Sequence, residues 1–324
     1  MSEPRPHEVS DTFACFGSTC AVSVIGDSEE RSAREAVEAA RAALLEWHER
    51  FSRFSDRSEL SALNRSAEPV VRVSPLMAQL AGAVVRAASL TGGLVDATQV
   101  EEIERAGYRA ELADPLPLQI ALSLAPPRRS AGTRANAAWP LIHVDPTART
   151  VARPPGVKID SGGLAKGLFA DVLGDELASH PAFAVNCGGD LLIGGSDYYA
   201  RPLTVESPFD GSVLHTFDVS HAGVATSGIG RRSWLDAAGR PAHHLLDPAT
   251  GSPAFTGVVQ ATALAPTALL AEIRAKAAIL AGPRAAARWL PDGGVIVLDD
   301  GSHHSYEPPA TVTLSALSAS AQHG

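Results

Sequence analysis

Between Gly223 and Gly251 the chain reads GVATSGIGRRSW and then, after a short interval, HHLLDPATG, so small residues, paired arginines and paired histidines share one stretch. Peptide N–H groups at Thr226, Ser227, Gly228 and Gly230 can approach a phosphate closely because the side chains are small. Arg231 and Arg232 can neutralise it, and His244, or its rival His243, can move a proton beside it. That is the outline of a phosphoryl-transfer site. The same residues also suit a Gly/Ser turn, a solvated arginine pair and a β-turn at Asp247-Pro248. This segment alone leaves both readings open.

Positioning such groups takes a scaffold, and the chain has the material for one. It has 324 residues, 45% of them apolar, enough for one large domain or two with a substantial core. The net charge of -9 and the absence of a dominant Lys/Arg cluster argue against a nucleic-acid partner held through phosphates. Among 27 basic residues only Lys158, Lys166 and Lys276 are lysines, so a compact ammonium has three candidate sources. Cys15, Cys20 and Cys187 are an odd set at unrelated spacings, which fits neither a disulfide framework nor a zinc site. Pro, Glu and Asp in the first fourteen residues leave no room for a signal-peptide core, and no run is long enough for a membrane span. The expected location is the cytoplasm.

The segment Ser32 to Phe54 places Val37, Ala40, Leu44, Trp47, Phe51 and Phe54 at three- and four-residue steps, which predicts an amphipathic helix. Ser74-Pro75 predicts the start of a second helix running to Thr91, ahead of Gly92-Gly93. Residues 110 to 155 are rich in Pro, Ala and Arg and read as a surface excursion, with a possible hairpin from Trp139 to Val144 and Thr150 to Val151. Beyond Gly156, strands are expected near Phe183 to Val185, Leu191 to Ile193, Leu203 to Glu206 and Leu214 to Val219. Helices are expected at Leu164 to Leu177 and Thr267 to Leu280, with a closing hairpin from Gly293 to Tyr306. The fold class is α+β, with mixed sheets packed against helices.

No G-x-x-x-x-G-K-[ST] and no G-x-G-x-x-G joining a strand to a helix is present, so P-loop and Rossmann sites are excluded. What stands instead is Ile159-Asp160-Ser161-Gly162-Gly163-Leu164-Ala165-Lys166-Gly167, then Asn186-Cys187-Gly188-Gly189-Asp190, then the arginine and histidine stretch. Phe16-Gly17-Ser18-Thr19, Phe51-Ser52-Arg53-Phe54, Ser58-Glu59-Leu60 with Asn64, Gly92-Gly93-Leu94-Val95-Asp96-Ala97-Thr98 and Ala265-Pro266-Thr267 complete the pattern. In this order the blocks resemble the ApbE-type flavin transferases, the FAD:protein FMN transferase family. The resemblance implies an ApbE-like, T-fold-like domain over residues 13–306, as one unit or two interlocked subdomains, with 110–155 variable. Residues 1–12 are then expected to be disordered and 307–324 to form a flexible tail.

The resemblance also implies an activity: FAD is the substrate, its pyrophosphate is cleaved with Mg²⁺ help, and FMN passes to a Ser or Thr hydroxyl of a partner protein with release of AMP. His244 matches the family's histidine and becomes the candidate base. Asp96 and Asp160 match positions that contact the flavin nucleotide, although either can instead cap a turn. Lys166, near a helix start, is expected to face an anion, against the alternative of an exposed lysine. Phe16, Gly17, Phe54, Leu94, Val95 and Leu246 are expected around the FAD pocket, and Gly162, Gly189, Thr226, Ser227 and Asp247 in its binding turns.

One block departs from the pattern. The family's Mg²⁺ is held by an Asp and, four residues later, a Thr of the helix after Ala-Pro-Thr, together with a group in the Gly162-Gly163 turn. Those positions are Gly163, Glu272 and Lys276 here, and an ammonium has no lone pair for a metal. A surface ion pair between Glu272 and Lys276 is the simplest alternative. Three outcomes follow: Lys276 supplies the positive charge itself, the metal shifts to Glu272 and Asp160, or FAD binds without turnover. A non-catalytic flavin-binding protein and an FAD pyrophosphatase giving free FMN and AMP are the competing functions.

Overall fold

A computed structural model describes residues 7–309 except 111 and 113. Its centre is an eight-stranded antiparallel sheet. In spatial order the strands are Glu8–Cys15, Ser18–Ile25, Ala182–Cys187, Asp190–Gly194, Ala222–Gly228, Val258–Ala265, Gly294–Leu298 and His303–Tyr306. The class is α+β. Three helices, Ala33–Phe51, Ala165–Leu177 and Ala268–Ala281, pack on the sheet and supply much of the core.

The first helix forms for local reasons. Ser32 accepts from the Glu35 N–H while the Glu35 carboxylate takes the Ser32 N–H, a capping box. Ala33, Ala36, Val37, Ala40, Leu44, Trp47 and Phe51 then bury one stripe. Ser58 and Ser74 cap the helices Glu59–Arg65 and Pro75–Leu90, the second with proline in its first turn as expected. The helix Ala268–Ala281 differs, because it is buried nearly all round. Thr267 caps it, and both oxygens of Asp171 accept from the Ala268 and Leu269 N–H groups at 2.6 and 3.0 Å. Burial outweighs those two bonds and pushes the Asp171 carboxyl up to about 6.

Two close approaches lock this helix in place. A Cβ on Gly223 would lie 2.1 Å from the Thr267 carbonyl carbon, and one on Gly167 would lie 2.8 Å from the Ala268 oxygen. Only glycine at both positions lets the sheet and the neighbouring helix come this near.

One sequence expectation is corrected. The stretch expected to be disordered to residue 12 begins a strand at Glu8, because Glu8 to Cys15 pair residue for residue with Ile25 to Ser18; residues 1–6 lie outside the described residues. The 110–155 region keeps most of its residues exposed and carries the expected hairpin, yet it is anchored to the core. It pairs His143–Asp145 and Thr150–Ala152 in a small sheet with Val70–Arg72, buries Leu118, Ile142 and Val151, and bonds Ala131 N–H to the Leu280 carbonyl. The three cysteines, an unpatterned set in sequence, are neighbours in space: Cys20 faces Cys187 across the sheet, and the Cys20 thiol donates to the Cys15 carbonyl. All are buried free thiols, with Cys20 pushed up to about 12, which keeps it protonated and inert. The expected tail is coil from Glu307 to Pro309, and 310–324 lie outside the described residues.

Candidate active site

The largest set of candidate residues converges on one pocket. Its apolar side is built by Phe16, Phe51, Phe54, Leu94, Val95, Ile103, Tyr108, Phe169 and Leu246, and its polar side by Asp96, Asp160, Lys166, Arg231, Arg232, His244 and Lys276. Gly17, Gly162 and Gly163 also line it. An aromatic compartment thus adjoins a cationic wall.

Phe16 and Gly17 occupy the two-residue turn between the first strands, at φ 55° and 63°. That turn geometry matches the sheet's twist, but a phenylalanine there is strained and holds its ring at the pocket. The ring packs on His48 and Phe169 at 5.4 and 5.6 Å, and the Phe16 carbonyl accepts from Arg232 at 3.3 Å. Phe54 meets Tyr108 edge to face, Tyr108 stacks on Trp234 at 5.2 Å, and the Arg53 guanidinium lies over both Phe54 and Tyr108. Arg53 also reaches Asp160 at 3.3 Å.

The loop carrying Asp160 is pinned from several directions. Asn64 clamps the Ile159 backbone with two 2.9 Å hydrogen bonds, the Asp160 N–H donates to the Ala97 carbonyl, and the Ser161 hydroxyl donates to the Phe51 carbonyl at 2.7 Å. Blocks far apart in sequence therefore meet at this loop. Asp96 uses Oδ1 to accept from the Thr98 N–H and hydroxyl, while its Oδ2 is buried with no partner. Burial pushes the Asp96 carboxyl up despite those two bonds. A buried acceptor left unpaired in a pocket is a place for a ligand donor.

Lys166 and Lys276 form the base of the cationic wall. Lys166 opens the helix Ala165–Leu177 and is ion-paired with Asp190, a residue 1% exposed. It is enclosed rather than the exposed lysine of the alternative reading. Burial works against its charge, but Asp190 and Glu272 overcome this and hold its pKa above the usual lysine value. Lys276 Nζ donates to Glu272 Oε1 at 2.9 Å, and Glu272 Oε2 accepts from the Gly167 N–H at 3.0 Å. Their side chains are 8% and 0% exposed, so this is a buried ion pair, not the helix-surface pair that i, i+4 spacing suggests.

His244 lines the pocket with its Nδ1 unpartnered. Burial, then the charges of Arg232, His243 and Lys276, hold its pKa well below the ordinary value, so the ring is neutral near pH 7. Its rival His243 is turned away: the ring contacts Phe255 edge to face at 4.8 Å and Nδ1 accepts from the Leu245 N–H.

Four expected binding residues lie outside the pocket lining. Thr226 and Ser227 belong to the central strand Ala222–Gly228, where the Thr226 N–H donates to the Gly189 carbonyl and its hydroxyl meets that of Thr262 at 2.8 Å. Their peptide groups serve the sheet, not a phosphate loop. Gly189 is one of two positive-φ glycines turning the hairpin from Ala182–Cys187 to Asp190–Gly194, and its N–H goes to Asn186. Asp247 accepts from the Gly132 and Ala249 N–H groups and the Thr250 hydroxyl, so the turn reading fits it. Sequence reasoning missed Tyr108, Gln99 and His48, which line the pocket but occupy no motif. Asp190 stands in the sequence only as part of the Asn186-Cys187-Gly188-Gly189-Asp190 block, and its pairing with Lys166 becomes visible only in the fold.

The resemblance implies Mg²⁺, and the residues present do not fit it. Gly163, Glu272 and Lys276 do come together, with a Cβ on Gly163 falling 3.7 Å from Lys276 Cε. The group at their centre is an ammonium, and both Glu272 oxygens are already hydrogen-bonded. Among the described residues no three His, Cys, Asp or Glu side chains cluster as metal ligands, whereas magnesium requires about six oxygens.

The sequence profile of the ApbE family matches residues 16–298. The chain belongs to that family. ApbE relatives named FAD:protein FMN transferase include one from Salmonella typhimurium (strain LT2), 27% identical over 62% of this chain and 57% of its own length. Another, from Vibrio cholerae, is 27% identical over 75% of this chain and 74% of its own. A Klebsiella pneumoniae relative aligns at 28% over 44% of this chain, which spans only 42% of that protein. Among solved structures, an ApbE protein from Thermotoga maritima superposes with a TM-score of 0.76 at 26% identity, covering 93% of this chain and 97% of that one. The Vibrio cholerae flavin transferase ApbE shares the fold, with a TM-score of 0.71 at 19% identity over 94% and 97%. Among the described residues no helix is long and apolar enough to cross a membrane.

Proposed function

We propose that this chain transfers FMN from FAD to a Ser or Thr hydroxyl of a partner protein and releases AMP. The observation that carries the reading is the pocket itself, in which an aromatic compartment meets a wall of Lys166, Arg231, Arg232 and Lys276 with the neutral, unpartnered Nδ1 of His244 beside them. A flavin ring suits the first part and a diphosphate the second.

In the reaction the acceptor oxygen forms a bond to the FMN phosphorus as the bond from that phosphorus to the bridging oxygen breaks. AMP leaves with the bond's electron pair, and the hydroxyl proton passes to His244. General-base help of this kind contributes about 10²- to 10⁴-fold. Asp96, through its free Oδ2, and Asp160 orient the nucleotide by accepting hydrogen bonds. Lys166 and the arginines balance the diphosphate's charge.

The test is to incubate the protein with FAD and a Thr-bearing acceptor peptide and follow AMP and peptide mass. AMP with an FMN-labelled peptide supports transfer; AMP with free FMN identifies the pyrophosphatase; bound FAD without AMP identifies a flavin-binding protein.

A further inference from the structure

We propose that the Lys276 ammonium is the resident counter-cation of the diphosphate, doing in this chain what a divalent metal would otherwise do. The inference rests on the reading above that the pocket takes FAD.

Its first support is the placement of Lys276. A lysine and a glutamate sit one turn apart inside a helix that is otherwise alanine, leucine and isoleucine over its buried positions. Burying such a pair is a poor way to stabilise a core, because desolvation offsets the attraction between the charges. A charged pair retained there points to a use for the charge. The lysine lines the pocket, and its stem packs beside the Gly162-Gly163 turn. Its ammonium has three donors; Glu272 takes one at 2.9 Å, which leaves donors for a ligand in the pocket.

The second support is the state of the nearby carboxylates. Glu272 is held by Lys276 on one oxygen and by the Gly167 N–H on the other, and Asp190 is ion-paired with Lys166. Both carboxylates beside the two lysines, Glu272 and Asp190, already face an ammonium. A metal would have to displace those ammonium groups and would then sit close to two like charges, at a cost set by Coulomb repulsion in a water-poor site.

The third is the overall charge. Lys166, Lys276 and Arg232 meet an incoming ligand, while Asp190 and Glu272 lie behind the lysines. The wall is therefore net cationic as folded. During transfer Lys276 donates a hydrogen bond to a diphosphate oxygen as negative charge builds on the departing AMP phosphate, and it keeps its proton.

Metal-stripped protein should be titrated with FAD by calorimetry in EDTA and in millimolar Mg²⁺, and AMP release followed under the same two conditions with the Thr-bearing acceptor peptide added. The expected result is an FAD affinity and an AMP rate that each differ by less than about threefold between conditions, since each bound charge is already supplied by the chain. A loss of tenfold or more in affinity or AMP rate in EDTA, restored by Mg²⁺, would overturn the proposal. FAD binding without AMP under both conditions would remove the transferase reading, while the comparison of affinities still decides the role of Lys276. No binding at all would remove both.

Variants give a second reading. Lys276→Arg keeps the charge and should retain metal-free binding. The pair Glu272→Asp with Lys276→Thr replaces the ammonium with oxygen donors and should make FAD binding Mg²⁺-dependent. If that folded double variant binds FAD in EDTA as tightly as the wild type, Lys276 is not the counter-cation.

Discussion

Lys276 Nζ lies 2.9 Å from Glu272 Oε1, one helical turn away, and the pair is buried where its helix packs on the central sheet and the helix Ala165–Leu177, with Lys276 at the pocket wall. The pair is coupled to its surroundings through the second Glu272 oxygen, which accepts from Gly167. Removing one partner leaves an uncompensated charge in the interior. Glu272→Ala or Lys276→Ala is expected to cost about 3–5 kcal/mol, whereas Glu272→Leu with Lys276→Met should be near neutral. Denaturant unfolding of the three variants checks this, and a double variant as unstable as the singles would refute it.

His244 and His243 are expected to separate function from stability. His244→Asn should lower AMP formation by about 10²- to 10⁴-fold while FAD still binds. Because burial and the neighbouring cations hold the His244 pKa well below its ordinary value, the rate should stay level as pH falls through 6.5 and decline only below it. A pH–rate profile with its acid limb centred at 6.5 or above would contradict this assignment.

His243 carries a different pH dependence. Burial lowers its pKa to about 3, so the native state leaves it neutral while the unfolded chain binds a proton below about 6.5. Its contribution is fully present above pH 6.5 and is lost progressively as pH falls toward 3, at about 1.4 kcal/mol per unit. Urea unfolding from pH 7 to 5 should show this slope. His243→Gln should reduce it by one histidine's share; an unchanged slope would show that other groups set it.

Gly167 is expected to be intolerant of a methyl group. A Cβ there would stand 2.8 Å from the Ala268 oxygen and from Leu269 backbone atoms, none of which can swing aside. Gly167→Ala should therefore cost about 1–3 kcal/mol by overpacking. Gly163→Ala is the control, because its Cβ would meet Lys276 Cε at an ordinary 3.7 Å. Equal melting temperatures for the two variants would count against this packing argument.

The sequence by itself determined the four long helices and most of their ends, and left the three short ones, Glu59–Arg65, Val100–Arg105 and Leu118–Ser123, unread. Ser32, Ser74 and Thr267 cap by short-range hydrogen bonds, and the buried stripe of the first helix is a repeat visible in one dimension. It also marked His244, Asp160, Asp96 and Lys166 by residue type within motifs, and these line a single pocket. Thr226 and Ser227 were misread because a strand made of small and hydroxyl residues looks locally like a turn. Its smallness serves packing, since Gly223 must admit the Thr267 backbone.

Tertiary structure alone decided which charges are buried and which groups meet. The same i, i+4 spacing of Glu272 and Lys276 describes a solvated surface pair or a buried one, and only the sheet and the adjacent helix distinguish them. Tyr108 stacks on Trp234, Lys166 pairs with Asp190 and Cys20 faces Cys187, all contacts between residues distant in the chain. Desolvation and Coulomb energy depend on what surrounds a group in space, and residue order does not encode those surroundings locally.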